Sequence, residues 1–493
     1  RIRAVASGFF YPLTRQPLFI FNFKYLCDII LYRINLIEGD LMNDGNCIGL
    51  TGKIITREDR DYNESIKAWN RAINKHPFII VYCYTEEDVI NAIKWSRENS
   101  KEIRVRSGAH SYEGYSTGDD VVVIDVSNIN YIDINEEKGY VKIGGGVRNR
   151  EAYEALGKKG YPFPGGGCPT VGVPGLILGG GWGYSARYLG LASDSLLEAE
   201  IINYKGQKLI VNRNQNKDLF WGIMGSGGCN FGVITSMTLK IEKKEEMGSL
   251  IYIKYHNATP DTILKAIIEL QKLFKVLDRK MNLKTAIYNS DGIGIGVKFT
   301  GLFYGNSIKA KEILKPIINI SENIEVIIED KSILECNRWI QDSHPDYEKY
   351  KSTGRFINRD LSKEEIEEII KIISNPAKGF NYTAISLYGA GGAIADVDKL
   401  STAYYYRDAK FILGIQSVWE EDIYADINKN WVKENFIIIK DITEGSFVNF
   451  PFDELDNFEK EYYGENINKL REIKAKYDPF NVFDYPQAIK GKS

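Results

Sequence analysis

The stretch Arg104-Val105-Arg106-Ser107-Gly108-Ala109-His110-Ser111-Tyr112 runs from a strand-like segment into small residues that expose a histidine. Small residues let successive backbone N–H groups converge on an anion such as a pyrophosphate. An imidazole is also a nucleophile towards an electrophilic cofactor carbon. A histidine in a turn is more often a plain hydrogen-bonding residue, and His110 is one of four, with His76, His256 and His344. Taken alone, the segment therefore leaves both roles open.

A second constellation is Gly165-Gly166-Gly167-Cys168-Pro169-Thr170-Val171-Gly172-Val173-Pro174-Gly175. After Leu176, Ile177 and Leu178 comes Gly179-Gly180-Gly181-Trp182-Gly183-Tyr184. So many glycines cost chain entropy, and they suit places where backbone must approach a large flat ligand. A cysteine in such a turn can have a lowered pKa and act as a nucleophile. A buried structural cysteine in a glycine hinge accounts for the segment equally well. Gly225-Ser226-Gly227-Gly228 reads as a turn entering a strand, not as a dinucleotide fingerprint, which needs strand–turn–helix context.

The elements that would position these residues alternate from about Leu50 to Ile241. Thr85 and Asp88 make a capping-box start, and Val89, Ala92, Ile93 and Ser96 follow at helical spacing. Ile103–Arg106, Val121–Val126 and Val141–Ile143 read as strands. After Lys243 the character changes. Ile263, Ile267, Leu270, Phe274 and Leu277 mark one helix, and Ile366, Ile369, Ile370 and Ile373 another starting near Ser362. Runs at Ile293–Tyr304 and Phe411–Trp419 are strand-like, so a second α+β domain is expected. A helix through Ile467, Leu470 and Ile473 precedes Tyr477-Asp478-Pro479.

The chain has 493 residues, 44% hydrophobic and 26% charged, enough for more than one core in an ordinary globular protein. Its 63 basic and 66 acidic residues leave a net charge of −3, so no global field gathers nucleic acid or anionic lipid. The six cysteines form no C-x-x-C pair and no disulfide-like spacing, which favours a reducing compartment; no clear secretory signal is read, so a cytoplasmic location is expected, and the abundance of Ile, Lys, Asn and Tyr suggests an AT-rich bacterial genome. The apolar stretch from Pro17 to Ile37 contains Lys24, Asp28 and Arg33, which argues against a spanning helix. An amphipathic extension or an imprecise gene start is the expectation there.

Taken together, Arg106-Ser107-Gly108-Ala109-His110-Ser111 and Gly167-Cys168-Pro169-Thr170-Val171-Gly172 resemble the berberine bridge enzyme-like branch of FAD-linked oxidases. Arg187-Tyr188-Leu189-Gly190-Leu191-Ala192-Ser193-Asp194, Asn230-Phe231-Gly232-Val233-Ile234-Thr235 and the terminal Tyr477-Asp478-Pro479-Phe480-Asn481-Val482-Phe483 extend that resemblance from about Ile66 to Ile489. It implies an α+β fold: a bipartite FAD-binding domain of the vanillyl-alcohol oxidase type, with an inserted substrate domain of antiparallel sheet covered by helices. The implied boundaries are an N-terminal extension at 1–49, the FAD domain at 50–243, the substrate domain at 244–440, and a segment returning to the FAD domain at 441–493.

The resemblance also implies a bicovalent FAD, joined through its 8α carbon to His110 and through its C6 to Cys168. Further implied FAD contacts are Arg106, Ser107, Gly108, Ala109, Ser111, Tyr112, Gly167, Thr170, Val171, Gly172, Gly175, Gly179, Gly180, Gly183, Gly232, Val233, Ile234 and Asn481. Valine at 171 is the smaller residue type that the family's oxidases carry there, so dioxygen is the expected acceptor.

Oxidation of an alcohol needs a base to take a proton as hydride leaves. Two positions depart from the family pattern: Trp182 stands where plant members often have tyrosine, and Asn449-Phe450 replaces an Asn-Tyr pair. Tyr388 and Tyr405 are the preferred replacements. Tyr404, Tyr405 and Tyr406 are read as a strand, and Tyr112 and Tyr115 lie beside the histidine. The expected protein is an oxidase of an alcohol, saccharide or secondary-metabolite substrate, a small molecule. An oxygen-avoiding dehydrogenase and a flavin-binding protein without turnover are the alternatives.

Overall fold

The computed structural model describes residues 47–491, and the apolar stretch Pro17 to Ile37 lies outside them. Leu50–Ser493 form one compact unit. Its first sheet contains β1 (Lys53–Thr56), β2 (Ile79–Tyr82), β3 (Ile103–Arg106) and β4 (Val122–Asp125), in the order β1-β2-β4-β3. The last three strands run parallel and are mostly buried, as a sheet covered on both faces requires. The crossover helix Glu86–Glu98 starts at the expected capping box: Thr85 accepts from the Asp88 amide at 3.2 Å and Asp88 accepts from the Thr85 amide at 3.0 Å.

The second sheet is antiparallel and contains β5 (Ile132–Asn135), β6 (Tyr140–Gly144), β7 (Leu196–Ile202), β8 (Lys208–Asn212) and β9 (Val233–Lys240), in the order β5-β6-β9-β7-β8. Between β6 and β7 the chain makes the helix Asn149–Gly157 and then the glycine-rich run.

The third sheet has eight antiparallel strands: β10 (Met247–Tyr255), β11 (Met281–Ser290), β12 (Gly294–Phe303), β13 (Ile324–Ser332), β14 (Lys349–Ile357), β15 (Phe380–Gly389), β16 (Phe411–Trp419) and β17 (Glu444–Ser446). Their order is β13-β10-β12-β11-β15-β16-β14-β17. Strand alternation divides its side chains. Leu283, Ile287, Ile385, Leu387, Leu413 and Ile415 point into one core with Ile263, Ile267 and Leu270 of the helix Pro260–Phe274 and the isoleucines of Lys363–Ser374. The alternate positions, including Lys284, Tyr388, Gln416 and Tyr350, are left to the opposite face.

Two elements differ from the sequence reading. The helix through Ile263 ends at Phe274, short of Leu277, whose carbonyl accepts from the buried Arg187 guanidinium at 3.0 Å. The tyrosines 404–406 form no strand. The Ala403 and Tyr404 amides donate to Trp221 and Met224 carbonyls, and Asn466 takes the Thr402 carbonyl, so this backbone is satisfied by a helix end and side chains.

The C-terminal segment is fastened by a buried ammonium. Lys474 Nζ donates to Asp478 at 2.7 Å, to the Asn230 carbonyl at 2.7 Å and to the Phe483 carbonyl at 2.8 Å, with Lys474 and Asp478 side chains both at 0% exposure. Removing one partner of such a pair strands the others away from water. Lys474→Met is expected to lower unfolding stability by about 3 kcal/mol or more, read from the midpoint and slope of chemical denaturation.

Candidate functional site

The two motif loops meet backbone to backbone. A Cβ at Gly108 would lie 2.3 Å from the Gly172 amide nitrogen and 2.6 Å from the Thr170 carbonyl; one at Gly172 would lie 2.4 Å from Ser107 Oγ. Only glycine fits at either place. Ala109 then takes the left-handed conformation, φ 58°, and turns His110 inward. From the other side, the start of the helix Asn149–Gly157 grips the cysteine loop. The Asn149 and Arg150 amides donate to the Val171 and Pro169 carbonyls, and Asn149 Nδ2 donates to the Cys168 carbonyl at 2.9 Å.

Thr170 joins the two nucleophile candidates. Its hydroxyl lies 2.7 Å from His110 Nε2 and 3.9 Å from Cys168 Sγ. Trp69 stacks on the imidazole at 5.0 Å. Burial, followed by the charge of Arg148 and the neighbouring His344, pushes His110 down to about 3, so the ring is neutral at physiological pH. Burial raises the Cys168 thiol; hydrogen bonds from Thr170 and Val171 oppose this without reversing it. The glycine turn therefore does not lower the cysteine as its sequence setting suggested, because desolvation of a thiolate outweighs the donors around it.

Both residues line a cavity of about 390 Å³, within the range of small-molecule and cofactor sites. Its wall also includes Ser107, Gly108, Ala109, Ser111, Tyr112, Gly167, Val171, Gly172, Gly175, Gly232, Ile234 and Tyr388. Ser107 Oγ donates to the Gly145 carbonyl at 2.9 Å, and Ser111 Oγ accepts from the Tyr115 amide at 3.0 Å. Three buried polar atoms of wall residues, Trp69 Nε1, Tyr115 Oη and Asn149 Oδ1, have no partner among the described residues. Such orphaned groups are costly unless a ligand meets them. Together with the close-packed glycines, they fit a large planar cofactor with many acceptors and donors.

The other sequence-derived positions lie off the wall, each for a visible reason. Arg106 is buried in an ion pair with Asp125 and donates to the Ser65 carbonyl at 2.8 Å, so it staples β3 to β4. Thr170 acts through His110. A Cβ at Gly179 would strike Asn449, one at Gly180 the Tyr404 ring, and one at Gly183 the Gly165 carbonyl: these glycines serve packing within the protein. Val233 opens β9 with its side chain fully in the core. Asn481 turns the chain at φ 48°, its amide bonded to the Asp478 carbonyl. Tyr405 packs against Gly464, and its hydroxyl accepts from Lys399 at 3.2 Å. Tyr405 is removed as a base candidate.

Tyr388 sits in an aromatic box. Trp182 meets it edge-on at 5.0 Å, and Phe450 packs at 5.4 Å while stacking on Tyr112 at 5.1 Å. The two positions that depart from the family pattern thus flank this tyrosine. Lys284 Nζ lies 4.7 Å above the Tyr388 ring centre. Burial lowers the Lys284 ammonium, but Tyr388, Tyr184 and Tyr382 outweigh it and hold the group above the ordinary lysine value. Burial pushes Tyr112 and Tyr350 well above the ordinary phenol range. Glu348 also faces the cavity, raised by burial against the opposing effect of Lys284, and Gln416 Nε2 donates to it at 3.3 Å.

Sequence reading missed Trp69, Asn149, Lys284, His344, Glu348, Tyr350 and Gln416. Lys284 carried a signal, a single cation inside the apolar run Met281–Ile287. The others carried none, since each joins the cavity through long-range pairing, such as the bridge from Asn70 to Glu348. Among the described residues no helix is long and apolar enough to cross a membrane, and no His, Cys, Asp and Glu cluster is arranged to hold a metal ion.

Fold and cavity define a flavin-dependent oxidoreductase. Residues 77–212 match the family model of an FAD-binding domain, and 446–490 match that described as berberine and berberine like. The FAD-linked oxidoreductase YvdP of Bacillus subtilis is 32% identical over 447 residues, covering 89% of this chain and 98% of that protein. The chain belongs to the berberine bridge enzyme-like family of FAD-linked oxidoreductases. Among solved structures, BBE-like 1 of Physcomitrella patens matches with TM-score 0.83 and 24% identity, over 91% of this chain and 98% of that one. Glucooligosaccharide oxidase from Acremonium strictum, described with a 6-S-cysteinyl, 8α-N1-histidyl FAD, matches with TM-score 0.82 and 21% identity, over 90% and 97%.

The loop contact gives a direct test. Gly108→Ala is expected to force the motif loops apart, costing about 1–3 kcal/mol and reducing the flavin retained per chain, measured by absorbance of the purified protein beside its melting temperature.

Proposed function

We propose that this protein is an oxidase that takes hydride from an alcohol, with a sugar hemiacetal as the leading substrate type, and that His110 and Cys168 both bond covalently to FAD. The observation that carries this is the shared hydroxyl of Thr170 between His110 Nε2 and Cys168 Sγ on one cavity wall. A neutral imidazole that donates from Nε2 to Thr170 keeps its Nδ1 lone pair for bond formation. The nitrogen named for the Acremonium oxidase supports the same choice. FAD held by His110, Cys168 and the glycine-lined wall would supply the hydride acceptor, with dioxygen as the terminal oxidant giving hydrogen peroxide.

Tyr388 is the proposed base. As its phenolate, Tyr388 takes the hydroxyl proton of the substrate and becomes a neutral phenol, and the Lys284 ammonium above the ring stabilises the phenolate that precedes this transfer. Trp182 and Phe450 pack against this ring and fix its position. Trp182 is itself tied to the Gly389 carbonyl at 2.7 Å, next to Tyr388 in the chain. Val171, on the wall beside Cys168, leaves room for dioxygen and supports oxidase over dehydrogenase.

Intact mass of the acid-denatured protein is expected to exceed the bare chain by one FAD. His110→Ala and Cys168→Ala should each retain flavin that survives denaturation, and the double variant should release it. A colourless, unmodified chain after expression with ample flavin would sink the covalent reading. Tyr388→Phe is expected to lower the rate of anaerobic flavin reduction by about 10²–10⁴-fold with the flavin spectrum retained. An unchanged reduction rate would remove Tyr388 as the base.

A further inference from the structure

The sheet face that closes the cavity carries three lysines that no described carboxylate pairs with. Lys254 on β10 stands directly opposite Lys298 on β12, and Lys298 stands opposite Ala286 on β11, two residues from Lys284. By strand alternation all three side chains share the face of Tyr388 and Gln416. Like charges directly across an antiparallel pair are destabilising. Two acids lie near: Glu325 stands opposite Lys254 on β13 and meets His256 at 3.5 Å, and Glu348 accepts from Gln416; neither forms an ion pair with a lysine of this face.

Lys284 and His344 line the cavity; burial and then Lys284 push His344 down to about 4, with Lys298, outside the lining, adding to the effect. Between Lys298 and the aromatic box the sheet surface is low, because the intervening row is Ala286, Ser386 and Gly414. The electrostatic signature matches a missing counter-charge. Lys298 is pushed down to about 8, by burial first and then by Lys284 and Lys254. The other titratable groups facing these lysines are Tyr184, Tyr252, Tyr288, Tyr382, Tyr388, His344, Glu325 and Glu348; Lys254 lies 5.9 Å over the Tyr288 ring. A lysine serving only as the neighbour of Tyr388 explains Lys284 and leaves Lys254 and Lys298 unaccounted for.

We infer that Lys298, Lys254 and Lys284 form a subsite for an anionic group, so that the oxidised substrate is an alcohol or sugar bearing a carboxylate or phosphate. This rests on the oxidase reading above and specifies its substrate class. An ammonium takes either anion as a point charge, so the two sources must be separated by experiment.

The test is titration calorimetry on the full, flavin-loaded chain at pH 8 and low salt, in phosphate-free buffers of different ionisation enthalpy. The ligands are digalacturonate, glucose 6-phosphate and neutral cellobiose. One of the two anions is expected to bind about tenfold or more tightly than cellobiose, and the better of them names the anion. Its binding should draw up to about half a proton from the buffer, since a lysine at about 8 is half-charged there and an anion raises it. Lys298→Gln should abolish that uptake and weaken anion binding about tenfold. Lys254→Gln gives a second variant, and in the unmodified protein added salt should weaken anion binding more than cellobiose binding. Cellobiose binding as tight as either anion, anion binding without proton uptake, or no binding by any ligand overturns the subsite. Hydrogen peroxide formation is measured separately. Anion binding with proton uptake but no turnover supports the subsite and sinks the oxidase reading. Turnover of cellobiose without anion preference does the reverse.

Discussion

The contact of Gly108 with Gly172 sets the conditions for everything else in the site. Two loops from different sheets approach so closely that a methyl group on either would overlap backbone. That proximity brings His110 and Thr170, 60 positions apart in the chain, to 2.7 Å, with Cys168 at the same hydroxyl. The loops cannot reach each other without β3 to launch one and the helix Asn149–Gly157 to hold the other. The parallel sheet, the antiparallel sheet and the glycine run between them are the means of making this one contact.

Burial then decides the protonation states. The cavity has little water to solvate charge, so His110 and His344 are held neutral and Cys168 is kept from ionising easily. Lys284 moves the other way because phenols surround it. On the opposite wall, Lys284 stands over the Tyr388 ring and Lys254 over the Tyr288 ring, and neither forms an ion pair with a described carboxylate.

The cavity is closed by ions buried where water cannot replace their partners. Arg187 spends its guanidinium on three carbonyls, Met281, Leu277 and Ala390, fixing the segment after the glycine run to the ends of the two central strands of the large sheet, near Tyr388. Arg407 and Asp194 form a two-fold hydrogen-bonded pair at 2.8 Å each. Lys474 ties the last helix to the Asn230 loop, whose glycines line the cavity. Each is a single arrangement with few alternatives, since a displaced buried charge has no solvent to fall back on.

Local rules were legible in the sequence because they act over a few residues. The Thr85–Asp88 cap, the strand at Phe411–Trp419 and the isoleucine stripe from Ile366 to Ile373 need only neighbours to form. The two glycine-flanked nucleophiles were legible for a similar reason: a backbone approach that excludes side chains writes itself as glycine. Which tyrosine faces the cavity was not legible. Tyr388 and Tyr405 look alike in sequence, and only the pairing of β15 with β11 and β16 turns one inward, while the chain around 404–406 leaves the sheet to satisfy a helix end. Lys254, Lys284 and Lys298 come from three strands, and their adjacency exists only in the register of the sheet. The sequence by itself determined the elements, the motif loops and the family. The tertiary structure alone decided which distant side chains share a wall, because cross-strand register and burial are properties of pairs that the linear order does not contain.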